Sequence, residues 1–160
     1  MTRRAKVLTV SDGVVAGTRE DTSGALLVEL LGEAGYEVAE HRVCADGVEP
    51  VAGALGELTA GFVGLVVTTG GTGFGPRDLT PEGTLAVLER QAPGVAEAIR
   101  RASDAGGRGF GMLSRGVAGT RGAALVCNLP GSGNGVREGL AVLLPVAEHA
   151  LDLLAGGRPH

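Results

Sequence analysis

The sequence predicts a three-layer α/β/α sandwich around a mostly parallel sheet. Three observations carry this. Short apolar runs with a β-branched bias recur along the chain. Segments with helical periodicity separate them. Each run ends in a cluster of Asp, Asn, Gly or Pro, the residues that turn a chain. Crossovers in such folds are nearly always right-handed, and ligands sit beyond the carboxyl ends of the strands near a topological switch point.

Ala5 to Val10 is the first strand-like run, and Ser11-Asp12-Gly13 is its turn. A polar loop follows to about Asp21. Thr22 or Ser23 is the expected cap of a helix with Leu26, Leu27, Leu30, Leu31 and Ala34 on one face, stopped by Gly35. Tyr36 to Cys44 alternates as a second strand, closed by Asp46-Gly47. A helix over residues 48–60 turns Val51, Leu55 and Leu58 inward. Phe62 to Thr69, the most apolar run, suits a buried parallel strand. The loop Gly70 to Asp78 is too rich in Gly and Pro for a helix. Thr80-Pro81 then reads as an N-cap followed by Pro at the first helical position. Pro93 opens a helix with Val95, Ala98, Ile99 and Ala102 on one side. Residues 104–120 carry no clear periodicity. Gly122 to Cys127 is a fourth strand, ending at Asn128-Leu129-Pro130-Gly131. The last helix runs from about Gly135 to Leu154, with Val136, Leu140, Leu143, Leu144, Ala147, Leu151 and Leu154 in helical register. Pro145 is expected to kink it, because it removes a ladder bond.

The chain's 160 residues fit one domain spanning 1–160. A hydrophobic fraction of 44% and a charged fraction of 20% exclude a disordered chain. The net charge of −4 argues against a broad nucleic-acid surface, while leaving room for one locally positive anion site. Lys6 is the only lysine; every other basic residue apart from histidine is Arg, which recognises phosphate bidentately. Cys44 and Cys127 lie in apolar runs without metal-binding spacing, so both are expected to be reduced, buried thiols. No leader-like segment precedes the first strand, and no apolar run approaches the ~18 residues of a membrane span. The expected compartment is the cytoplasm, with no membrane partner.

In a parallel sheet, Asp12, Asp46, Thr69 to Asp78 and Asn128 to Ser132 all fall at one edge. Three carboxylates beside a Gly-rich loop suit a magnesium ion held together with a substrate phosphate, and magnesium often takes only one or two of them. Each residue also has a plainer reading. Asp12 and Asp46 both precede Gly, a common turn pair. Asp46 could cap the next helix, with Glu49 completing a capping box. Asp78 stands two residues before the Thr80 cap, so capping explains it less well. The glycines alone are weak evidence among 29 in the chain. The loop is neither a P-loop, since GxxxxGK[ST] is absent, nor a Rossmann fingerprint, since its GxGxG follows the third strand. What remains is a run of backbone N–H groups able to approach an anion, with a helix N-terminus behind it and the hydroxyls of Thr68, Thr69 and Thr72 beside it.

The stretch Thr69-Gly-Gly-Thr-Gly-Phe-Gly-Pro-Arg-Asp-Leu-Thr-Pro-Glu82 resembles the TGGTG-x-x-x-RD-(V/L)-TPE signature of the MogA/MoaB family of molybdenum cofactor biosynthesis proteins. The gephyrin G domain and its plant counterpart share it. Val10-Ser11-Asp12, Met112-Leu113-Ser114-Arg115, Gly119-Thr-Arg-Gly122 and Asn128-Leu-Pro-Gly131 resemble further family segments, so that the likeness spans residues 5–155.

The resemblance implies the molybdopterin-binding fold and a reaction: Mg2+- and ATP-dependent adenylylation of molybdopterin, giving adenylyl-molybdopterin and pyrophosphate. It implies that Asp46 and Asp78 are catalytic and hold the magnesium. It places substrate binding on Ser11, Asp12, Thr69, Gly70, Gly71, Thr72, Gly73, Ser114, Arg115, Asn128, Pro130, Gly131 and Ser132. It also implies a homotrimer and a molybdate-insertion protein as a partner. One departure stands out. The family often reads NLPG-x-P-K, whereas Gly133 and Asn134 replace the Pro and Lys here; Arg137 or Arg115 could supply the missing charge. Two other readings compete with the enzyme: a catalytically silent molybdopterin-binding scaffold of the MoaB type, and a related domain acting in molybdate insertion or another nucleotide hydrolysis.

Overall fold

The computed structural model describes residues 3–104, 107 and 109–158. Among these residues six strands form one sheet: β1 (Arg3–Val10), β2 (Tyr36–Cys44), β3 (Gly64–Thr69), β4 (Arg90–Gln91), β5 (Ala118–Arg121) and β6 (Ala124–Leu129), in the order β2-β1-β3-β6-β5-β4. The first four in that order are parallel, and β5 and β4 add an antiparallel edge. The helices are α1 (Asp12–Val15), α2 (Thr22–Glu33), α3 (Val48–Thr59), α4 (Thr80–Leu85), α5 (Pro93–Asp104) and α6 (Gly133–Leu154).

The period-two geometry of the strands divides the core. Ala5, Val7, Leu65, Val67, Leu125, Cys127 and Leu129 meet α2, α5 and α6 through Leu27, Leu31, Ile99, Leu140 and Leu143. The alternate residues Leu8, Val10, Val66, Ala124 and Val126 meet α3 on the other face through Val51, Leu55 and Leu58. Both faces of the central strands are therefore covered, which explains why β3 and β6 are apolar at nearly every position. Among the described residues no helix is long and apolar enough to cross a membrane.

Several local expectations change. Residues 12–15 form a one-turn helix rather than loop, because the Ser11 hydroxyl accepts from Val14 N–H. Asp21, not Thr22 or Ser23, caps α2: its Oδ1 accepts from Gly24 N–H at 2.9 Å while its Oδ2 accepts from the Thr9 hydroxyl. Ala34 is exposed at the end of that helix. Strand β3 starts at Gly64, two residues later than expected. Thr80 does not cap α4; Leu79 precedes it without a side-chain bond, and the Thr80 hydroxyl donates to Gly70 O at 2.9 Å. Gly47, not Asp46, precedes α3, so no capping box forms there. Segment 104–120, unreadable in sequence, contributes a 3-10 turn at Phe110–Leu113 and the edge strand β5. Ser132 caps α6, which starts at Gly133 and runs through Pro145 as one helix. Cys127 is buried as expected, but Cys44 is only partly so. Burial pushes the two thiols up to about 12 and about 11 respectively.

Candidate active site

Strand order brings the expected groups together. The chain's next strand after β1 lies on one side of it, and β3 and β6 lie on the other. The β1/β3 border is thus the switch point where parallel sheets open a crevice. Asp12 follows β1, Asp46 follows β2, the Gly loop follows β3, and Asn128 to Ser132 end and follow β6.

Asp12 and Asp46 clasp each other. Asp12 N–H donates to Asp46 Oδ2 at 2.8 Å, and Asp46 N–H donates to Asp12 Oδ1 at 3.1 Å. Arg77 locks the pair, donating through Nε to Asp12 Oδ2 at 2.5 Å and through Nη2 to Asp46 O at 2.8 Å. The hydrogen bond from Arg77 holds the Asp12 carboxyl below its ordinary value. Asp12 therefore spends its charge on Arg77, while Asp46 keeps Oδ1 without a partner among the described residues. Asp78 is held similarly, with Oδ2 accepting from Gly75 N–H at 2.9 Å.

The Gly loop lies between these carboxylates. Gly70 and Gly71 have φ of 99° and 68°, a region that favours glycine. A Cβ on Gly70 would fall 2.3 Å from Val10 O, and one on Gly71 would fall 2.3 Å from Thr80 Oγ1 and 3.1 Å from Asp46 Oδ1. The loop packs this closely only because side chains are missing there. Arg115 ties its far end: Nε donates to Gly73 O at 2.8 Å, Nη2 donates to Asp78 O, and Nη1 pairs with Glu82. That hydrogen bond draws the Glu82 carboxyl below its ordinary value. Asn128 lies deeper, 3% exposed. Its Nδ2 donates to the Thr68 and Thr84 hydroxyls, each at 3.0 Å, and its Oδ1 accepts from Val117 N–H at 3.1 Å.

Two clefts open on this frame. The first, about 270 Å³, is lined by Ser11, Asp46, Thr69, Gly70, Gly71, Asp78, Gly131 and Ser132, together with Arg19 and the start of α2. The second, about 960 Å³, is lined by Thr72, Gly73, Ser114, Pro130 and Ser132, with Ser103, Phe110, Leu113, Asn134 and Glu138. Ser132 belongs to both, and Gly71 and Thr72 fall on either side of the divide. Of the residues named from sequence, twelve line a cleft. Asp12, Arg115 and Asn128 line neither and brace the loops behind it.

Several residues of the site carry no signal in the sequence. Arg77 and Glu82 sit inside the signature, yet nothing in their spacing identifies their partners, 65 and 33 residues away. Arg19 lies in an exposed loop that carries no motif. Arg19 is also the only basic residue among the described ones that lines either cleft; Arg115 and Arg137 do not.

A family model described as a probable molybdopterin binding domain matches residues 6–149. The molybdopterin adenylyltransferase of Helicobacter pylori strain J99 is 36% identical over 153 residues, which is 94% of this chain and 86% of that protein. The molybdenum cofactor biosynthesis bifunctional protein of Chlorobaculum tepidum is 37% identical over 96% of this chain, which spans only 49% of that longer protein. Among solved structures, the molybdopterin biosynthesis Mog protein of Mycobacterium ulcerans superposes with a TM-score of 0.89 at 44% identity, covering 98% of this chain and 99% of that one. With a family match over nearly its whole length and the signature residues gathered at one sheet edge, the chain belongs to the family of probable molybdopterin binding domains of molybdenum cofactor biosynthesis.

Proposed function

We propose that this chain acts as one domain that adenylylates molybdopterin with ATP, releasing pyrophosphate. The observation that carries the reading is the pair of joined clefts, with Asp46 and Asp78 in the smaller and the Gly loop between them. In this reading the pterin occupies the larger cleft and directs its terminal phosphate past Ser132. The nucleotide lies in the smaller one. An oxygen of the molybdopterin phosphate attacks the α-phosphorus of ATP. A new P–O bond forms, the α–β anhydride bond breaks, and its electron pair leaves on pyrophosphate. The attacking group is already an anion, so no general base is needed; the task is to align two anions that repel each other.

The chain's own residues suit that task. Gly70 N–H already donates to Leu129 O at 3.2 Å, while the N–H of Gly71, without a partner among the described residues, can approach phosphate closely. Arg19 brings positive charge to the smaller cleft, the role for which Arg115 and Arg137 were the sequence candidates. The Arg77 clamp fixes Asp46, and Arg115 fixes the backbone of Asp78. Asp46 and Asp78 are the residues that would hold magnesium, since each has one carboxylate oxygen fixed by a backbone N–H and the other unpartnered among the described residues. When bound, the ion neutralises charge on the phosphates.

The same reading makes the protein a cytoplasmic homotrimer that passes its product to a molybdate-insertion protein; light scattering at micromolar concentration tests the assembly, and a monomer contradicts it. Incubation with molybdopterin, ATP and magnesium, followed by a pyrophosphate assay, tests the reaction. Asn134, standing where the family often has Lys, favours one other reading, a molybdopterin-binding scaffold. Tight molybdopterin binding without pyrophosphate release would select it.

A further inference from the structure

Among the polar side chains that line the larger cleft, Glu138 and Ser103 take no part in the hydrogen bonding described above. Glu138, on α6, is half-buried and lines the cleft, and its carboxylate makes no ion pair or hydrogen bond among the described residues. Ser103, near the end of α5, lines the same cleft, and its Oγ is buried without a hydrogen-bond partner among the described residues. A buried hydroxyl like that of Ser103 is costly, because burial removes its water without replacing it, whereas the partly exposed Glu138 carboxylate stays open to the cleft. Behind the cleft, by contrast, Asn128, Thr68, Thr84, Arg115 and Glu82 all have partners. Phosphate binding does not explain Glu138, since a carboxylate repels phosphate. A ligand that presents hydrogen-bond donors at this point of the cleft therefore complements Glu138.

The pterin ring has such an edge. Its 2-amino group and N3–H point the same way and form two parallel donors, which a carboxylate accepts as a bidentate pair. The adjoining C4 carbonyl is an acceptor, which a serine hydroxyl can serve. The walls between these groups are apolar, with Phe110, Leu113 and Pro130 suited to the flat faces of a heterobicycle. Resting on the reading of this cleft as the pterin site, we propose that Glu138 is its specificity-determining residue, reading the 2-amino and N3–H donors, with Ser103 serving the neighbouring carbonyl. A ring carrying a carbonyl at position 2 sets an acceptor against the carboxylate and is rejected, because unpaired buried polar groups discriminate strongly.

The test uses the full chain and two fluorescent probes, 6-hydroxymethylpterin and 6-hydroxymethyllumazine, which differ only in having a 2-amino group or a 2-oxo group. Wild-type protein should bind the pterin at least about tenfold more tightly than the lumazine. Glu138→Gln keeps the shape and helix propensity of the side chain but supplies only one acceptor, so the melting temperature should hold. That variant should lose about tenfold or more in pterin affinity and bind both probes alike. Ser103→Ala should weaken both probes by a similar, smaller factor and leave the preference intact. A Glu138→Gln variant that keeps the wild-type preference overturns the role of Glu138 while leaving the cleft as the pterin site. A wild-type protein that binds neither probe overturns the cleft assignment itself, and the proposal with it.

Discussion

Replacing Asn128 with Ala separates bracing from binding at the β6 loop. The side chain is 3% exposed and sits between Thr68 and Thr84, which are both fully buried. Its removal strips Val117 N–H of the acceptor at 3.1 Å and leaves the Thr68 hydroxyl without the donor at 3.0 Å. Thr84 suffers less, because its hydroxyl still donates to Thr80 O at 2.7 Å. Each newly unsatisfied buried group costs roughly 1–3 kcal/mol. The small cavity adds roughly another 1 kcal/mol. For these two groups and the cavity a loss of about 3–7 kcal/mol is expected, a large part of the ~5–15 kcal/mol that holds a typical domain together. For a chain of this size, at roughly 2–4 °C per kcal/mol, that corresponds to a fall of roughly 6–28 °C in melting temperature. Urea denaturation followed by circular dichroism gives the free energy, and calorimetry gives the temperature. A variant within about 0.5 kcal/mol of wild type that nonetheless loses substrate affinity would contradict the bracing role and make Asn128 a direct ligand.

Three further outcomes follow from the same geometry. Gly73 is not left-handed, and a Cβ there would meet only the Asp78 carboxylate at 3.1 Å; Gly73→Val should therefore abolish pterin binding in a fluorescence titration with little change in melting temperature. The Asp12 carboxyl is depressed by its hydrogen bond from Arg77, so the stability it contributes is fully present above the ordinary aspartate range near pH 4 and is lost as pH falls through the lower folded value. A carboxyl-carbon NMR titration should show Asp12 moving back up to the ordinary range in Arg77→Met, and an unchanged midpoint would contradict the clamp. Arg19→Gln should raise KM for ATP about tenfold at low salt with no loss of thermal stability, and an unchanged KM would remove Arg19 from the phosphate site.

The sequence exposed what repeats locally and hid what closes over distance. The boundaries of β2 were readable because Tyr36 to Cys44 alternates and turn residues flank it. The edge placement of Asp46 and Asp78 followed from strand order alone, since parallel strands must bring their ends to one side. The antiparallel strands β4 and β5 were not readable: one is two residues long, and the other, Ala-Gly-Thr-Arg, is stabilised by pairing rather than by composition. Capping at α2 went to Asp21 over its neighbours because that carboxylate also accepts from Thr9, a partner only the tertiary fold supplies. The roles of Arg77 and Arg115 were hidden for the same reason, as guanidinium partners are chosen by space and not by spacing. Glu138 belongs to no motif, and only the tertiary fold sets it beside the larger cleft.

The most direct test of the account compares pyrophosphate release by wild type, Asp46→Asn and Asp78→Asn, with molybdopterin affinity and melting temperature measured on the same samples. Asn preserves shape and most hydrogen bonding, including the acceptor for the backbone N–H, but removes the negative charge that would hold a cation. If the two carboxylates carry the transfer, each variant binds molybdopterin normally and melts near wild type, while kcat falls roughly 10²-fold or more, equivalent to ~2.7 kcal/mol. If they serve only as turn residues, Asn replaces Asp almost without cost. Near-normal turnover in both variants, with unchanged melting temperature, would contradict the proposed catalytic centre.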